Sequence, residues 1–109
     1  MAKNAIATQY DDAGFPAVAS ATVSLAYTAI PAVVKAAPGR LLKVIVTTTT
    51  AGGTITVYDN ASTNSGTILL VIPTGATAGT VYDLMLPAAN GIYVYQSAAS
   101  AGVICVGYA

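Results

Sequence analysis

The sequence predicts an all-β protein: a single antiparallel β-sandwich or jelly-roll-like domain over residues 22–109, preceded by an extended N-terminal arm over residues 1–21. Three observations carry this. Short runs rich in Val, Ile, Leu, Thr and Tyr recur along the chain, and such side chains suit a pleated, packed surface. Several runs alternate with period two, which marks a strand buried on one face. Clusters of Gly, Pro, Asn and Ser punctuate them, giving seven or eight short strands in the rhythm of a sandwich or barrel. A length of 109 residues suits one domain.

The arm has no clear period, and Tyr10 and Phe15 are its candidate anchors for docking on a partner. Thr22 to Ile30 reads as a strand with Val23, Leu25 and Tyr27 on one face, ended or placed at an edge by Pro31. Ala32 to Ala36 reads as a short strand, with a helix as the competing reading because of its alanines. Pro38-Gly39 is a turn. Arg40 to Asp59 then reads as the central hairpin: Leu41 to Thr47, a Gly52-Gly53 turn, and Thr54 to Asp59 with Ile55 and Val57 opposite Thr54, Thr56 and Tyr58. Asn60 to Gly66 is a polar loop. Thr67 to Ile72 is an apolar strand stopped by Pro73. Thr80 to Leu86 puts Tyr82, Leu84 and Leu86 on one face, with Val81, Asp83 and Met85 on the other. Pro87 to Gly91 reads as a turn, with Asn90-Gly91 the strongest hairpin signal in the chain. Ile92 to Gln96 sets Ile92 and Val94 against Tyr93 and Tyr95, and Val103 to Tyr108 is the last strand.

Hydrophobic residues make up 55% of the chain and charged residues 7%, against about 25% charged in an ordinary soluble domain. The four bases (Lys3, Lys35, Arg40, Lys43) balance the four acids (Asp11, Asp12, Asp59, Asp83). Zero net charge offers no attraction for nucleic acid or anionic lipid, so neither is expected as a partner. So little charge also does little to keep copies apart. Leu41 to Val46 and Ile68 to Ile72 are apolar on both faces, which suits one face in the core and one against a partner subunit. A monomer coated in Thr, Ser and Ala is the alternative. The uncharged stretch Ala17 to Val34 has the length of a membrane span, but its polar residues, Pro31 and strand alternation point away from one. No targeting segment is expected, because no compact apolar run follows Lys3.

The same composition leaves little room for catalysis. There is no His, so no Ser-His-Asp or Cys-His arrangement can form, and His and Cys cannot gather around zinc. Cys105 is the sole cysteine, excludes an internal disulfide and reads as a buried inert thiol. Asp59 and Asp83 are the one carboxylate pair open to acid–base work, against roles as a turn residue and an outer-face residue. Asp11-Asp12 is a weak calcium pattern without further spaced acids. No phosphate loop is present. Asn60-Ala61-Ser62 matches a glycosylation acceptor but is too short a pattern to decide anything. The expectation is a non-enzyme with no metal or cofactor. Seven tyrosines against one Phe and no Trp suit a contact surface. Tyr93 and Tyr95 are its first candidates, while Tyr27, Tyr58 and Tyr82 fit core-edge packing equally well.

Three stretches together resemble a known family. They are Pro38 to Val46 (PGRLLKVIV), Gly53 to Ser62 (GTITVYDNAS) and Val81 to Val94 (VYDLMLPAANGIYV), followed by a closing strand that ends in Tyr108. The most telling pieces are Gly39-Arg40-Leu41, Val57 to Asn60, and Asn90-Gly91-Ile92-Tyr93-Val94. Over Pro38 to Tyr108 the chain resembles the head decoration, or cement, proteins of tailed bacteriophages. The resemblance implies a β-sandwich that clamps major capsid protein subunits on the capsid exterior, commonly as a homotrimer, in virions assembled in the host bacterial cytoplasm. It brings no catalytic residues. Related modules in tails or fibres leave a carbohydrate- or receptor-binding module as the alternative. The arm lies outside the match, and deleting Met1 to Ala21 is expected to leave the β core folded and weaken attachment.

Overall fold

The computed structural model describes residues 20–98 and 102–109. Eight strands run in chain order: β1 (Ala21–Ala26), β2 (Ala32–Lys35), β3 (Gly39–Thr48), β4 (Ile55–Asp59), β5 (Thr67–Ile72), β6 (Val81–Ala88), β7 (Ile92–Gln96) and β8 (Val103–Tyr108). They form two four-stranded antiparallel sheets with the orders β1-β8-β3-β6 and β2-β7-β4-β5. This double-sheet order, two interleaved Greek keys, is a jelly roll. The predicted class holds. The core lies between the sheets, where alternate residues of both meet: Leu41, Val44, Val46, Ile104 and Val106 from the first, Ile55, Val57, Ile72, Ile92 and Val94 from the second. Tyr82 and Tyr108 pack against it from the first sheet. Among the described residues no helix is long and apolar enough to cross a membrane.

The two predicted hairpins are corrected. β3 and β4 do not pair; they belong to opposite sheets, and the glycines lie on the path between them. Gly52 does take the left-handed conformation (φ 99°). Gly53 is needed for a different reason: a Cβ there would sit 2.6 Å from both the nitrogen and the oxygen of Ala98. Likewise Asn90-Gly91 carries the chain from β6 in one sheet to β7 in the other. Only β4 and β5 are both consecutive in the chain and neighbours in a sheet, joined through the polar loop at 60–66. Asn60 shapes that loop, its Oδ1 accepting from the backbone of Ser62 and Thr63 and its Nδ2 donating to the carbonyl of Ser65.

Three smaller expectations also shift. The first strand ends at Ala26, where a 3₁₀ turn over Tyr27–Ala29 takes over, held by Gln96 Nε2 donating to the carbonyls of Tyr27 and Ile30. β6 runs on through Pro87 to Ala88, because Pro87 lies on an edge strand, where a missing N–H is tolerated. Cys105 is half-buried rather than buried: Ile104 and Val106 take the core side of β8, which turns Cys105 to the outer face. The short strand at residues 32–35 forms as a strand, not a helix.

Thr50, a residue without a strand of its own, joins two crossovers. Its side chain is buried (1% exposed). Its hydroxyl donates to the carbonyl of Pro73 (2.9 Å) and accepts from the backbone N–H of Ala76 (2.8 Å). Its own backbone adds a bond to Ala76 and one from Gly75. The path from β3 to β4 is thereby fastened to the path from β5 to β6.

Candidate functional site

The two outer faces of the sandwich differ in chemistry, and the difference follows from strand alternation. On the first sheet the outward positions mix charged and polar residues (Arg40, Lys43, Asp83, Thr22, Ser24 and Thr47, with Lys43 opposite Asp83) with apolar ones, among them Val81 and Met85 at 52% and 59% exposure. On the second sheet the residues between the buried Ile55, Val57, Ile92 and Val94 are Thr56, Tyr58, Tyr93 and Tyr95. Register lines them up. Val33, Tyr93, Tyr58 and Ile68 form one row straight across all four strands, and Tyr95, Thr56 and Val71 form the next. Directly opposed residues on one face stand about 4.5–5.5 Å apart at Cβ, so the three phenol rings are neighbours. Val33, Ile68 and Val71 flank them at 47%, 53% and 49% exposure. These two rows contain no Asp, Lys or Arg.

Tyr93 and Tyr95 therefore lie where the sequence places them, on one outer face. Tyr58, which the sequence leaves equally open between a contact surface and core-edge packing, joins them on that face. Its signal was present, since it alternates away from Ile55 and Val57. Ile68 and Val71 belong to the stretch Ile68 to Ile72 that the sequence marks as apolar on both faces, whereas nothing local in the sequence tells that Val33 faces outward. Ile68 and Val71 are three residues apart, yet share the outer face because a bulge in the β4–β5 ladder leaves Leu69 unmatched. Tyr10 and Phe15 lie outside the described residues, as do Asp11 and Asp12.

The carboxylates do structural work in one case. Asp59 ends β4, and its two oxygens accept from the backbone N–H groups of Ala89 (3.1 Å), Asn90 (2.8 Å) and Gly91 (3.3 Å). The bond from Asn90 chiefly holds its pKa below the ordinary carboxylate value; partial desolvation opposes this, and the bonds from Ala89 and Gly91 assist. Gly91 has no room for a side chain there, since a Cβ would meet the carbonyl oxygens of Lys35 (2.6 Å) and Asn60 (2.8 Å). Asp83 lies on the exposed outer face of β6. Among the described residues no three His, Cys, Asp or Glu side chains gather as metal ligands would.

Comparison of the chain with family models, curated proteins and solved structures found no match in any of the three. Val57 to Asn60 and Asn90 to Val94 meet in space, joined by the Asp59 carboxylate and flanked by the tyrosine rows. Gly39 leaves room for the carbonyl oxygen of Ala109, which an added Cβ would meet before the Lys35 side chain. The uncharged face can present flat aromatic and aliphatic surface to a partner, with phenol hydroxyls free to seek polar groups at its rim.

Proposed function

We propose that this protein is a virion structural protein of a tailed bacteriophage, a decoration or cement protein that binds the capsid exterior and stabilises the shell across subunit joints. The observation that carries the reading is the outer face of the β2-β7-β4-β5 sheet, with Tyr58, Tyr93 and Tyr95 between Val33, Ile68 and Val71 and no charge among them. Tyrosine is enriched at protein interfaces, and charge is depleted at their centres. The jelly roll is an architecture of viral capsid domains. Fold alone assigns no function, so the argument rests on the face. Its partner is the major capsid protein, and the site of action is the virion.

The test is cosedimentation of the full chain with phage capsids assembled without it. Tyr93→Ala and Tyr95→Ala should each weaken attachment about tenfold or more while the melting temperature stays close to that of the parent, as expected for interface anchors. Attachment unaffected by both substitutions would remove the face from the binding surface. The second reading, a tail- or fibre-borne carbohydrate- or receptor-binding module, draws on the same rings, because the jelly roll is also a lectin architecture. Saccharide binding lost in the same two variants, with no attachment to capsids, would replace the first reading by the second.

A further inference from the structure

The four sheet edges are not equivalent. β6 is blunted by Asp83, by Pro87 and by a bulge at Met85, whose backbone is left-handed (φ 55°) and whose carbonyl accepts from Arg40 Nη1. β2 has four residues, an irregular register and a terminal Lys35. β1 is entered from residues outside the described part and carries Thr22 and Ser24. β5, Thr-Ile-Leu-Leu-Val-Ile, has no charge, no Pro and no Gly; β1 shares this, but β5 is the more apolar of the two, only its β4 side is paired, and its one irregularity is the bulge at Leu69, which leaves Ile68 and Val71 on one face. Natural edges of this kind are blunted by charge or proline, or covered by another strand.

We propose that β5 pairs antiparallel with β5 of a second copy of this chain across a two-fold axis, fusing two four-stranded sheets into one of eight. The register that pairs the whole strand sets Thr67 against Ile72, Ile68 against Val71 and Leu69 against Leu70 of the other copy. A strand without charge meets its own copy without like-charge repulsion, and such an isologous contact closes at two subunits. The order is therefore two, in place of the three that the resemblance implies.

Area supplies a second argument, which rests on the capsid-binding reading above. Four strands about 4.8 Å apart, each with five residues rising about 3.4 Å, give a flat face of roughly 320 Å². Pressed on a partner it covers roughly 650 Å² in total, short of the roughly 1,000 Å² of a specific interface. The eight-stranded face doubles this and clears that mark, with both sets of tyrosines on one surface.

Light scattering on the purified full chain tests the pairing without any capsid. The expected mass is twice the 10.8 kDa of one chain, falling to a single chain in Val71→Lys with an unchanged circular dichroism spectrum. In a Cys105→Ser background, the double variant Ile68→Cys with Val71→Cys should oxidise to a covalent dimer, as the register requires. A monomer at every concentration, a trimer, or a dimer untouched by Val71→Lys and not cross-linked by the cysteine pair would overturn the proposal. A β5-linked dimer that fails to attach to capsids would instead sink the decoration reading and leave the pairing standing.

Discussion

Replacing Thr50 by Val isolates what a single buried hydroxyl contributes to this fold. Valine matches threonine in shape, so the cavity is unchanged while two hydrogen bonds vanish. The Ala76 N–H loses its acceptor, and the Pro73 carbonyl loses a donor. The buried Ala76 N–H costs about 1–3 kcal/mol when left unsatisfied, while Pro73 is exposed and its carbonyl can turn to water, so the variant should lose about 1–3 kcal/mol. For a domain of this size that corresponds to a fall in melting temperature of at least about 4 °C. Thr50→Ser is the control: it keeps both bonds and loses one buried methyl, worth about 1 kcal/mol. The assay is thermal unfolding followed by circular dichroism on parent and both variants. A Val variant as stable as the parent, or more stable than the Ser variant, would refute the claim that the hydroxyl joins the two crossovers.

Three further outcomes follow from named contacts. Met85→Gly should be more stable than Met85→Ala and at least equal to the parent. A left-handed residue with a Cβ costs about 1–2 kcal/mol, of which glycine's extra chain entropy takes back about 0.5–1 kcal/mol; urea titration of the three proteins reads the order. Gly53→Ala should cost about 1–3 kcal/mol, because its Cβ would press on the backbone of Ala98 and not on a movable side chain, and the same titration checks it. The Asp59 clamp should be acid-sensitive. Its folded pKa is lowered, so its stabilisation is complete above the unfolded value near 3.8 and is lost as pH falls through the lowered folded value. Asp59→Asn should therefore melt below the parent at neutral pH and converge with it in acid; a gap that does not narrow with falling pH would contradict the role of the charge.

Strand positions were legible in the sequence, and strand partners were not. β5, β7 and β8 stand where alternation and punctuation put them, because the period of a strand is a local property. The glycines at 52–53 and the pair Asn90-Gly91 are also local signals, and they do mark places where the chain turns. Whether a turn returns to the same sheet or crosses to the other depends on residues far away. For Gly53 the deciding neighbour is Ala98, and for Asn90-Gly91 it is Asp59. The tyrosine face was half legible for the same reason: Tyr93 and Tyr95 share one strand, while the row that adds Tyr58, Val33 and Ile68 exists only once four strands are in register. Thr50 carried no signal, since it follows three other threonines and only the fold selects it.

The strand order also sets a timetable for synthesis. β1 has one neighbour in its sheet, and that neighbour is β8, the last of the eight described strands in chain order. Ala21 waits for Tyr108, and Ala26 for Val103. β8 also separates β1 from β3, so the first sheet cannot assemble by growing outward from its earliest strand. While the chain is still emerging, the β4–β5 pair is, among the described strands, the one hairpin that short-range closure can form, and the other pairings described must bridge a long loop at an entropic cost. A nascent chain thus carries its first sheet uncompleted until Val103 to Tyr108 arrive, and a ribosome that stalls before Val103 leaves β1 without its neighbour in the sheet.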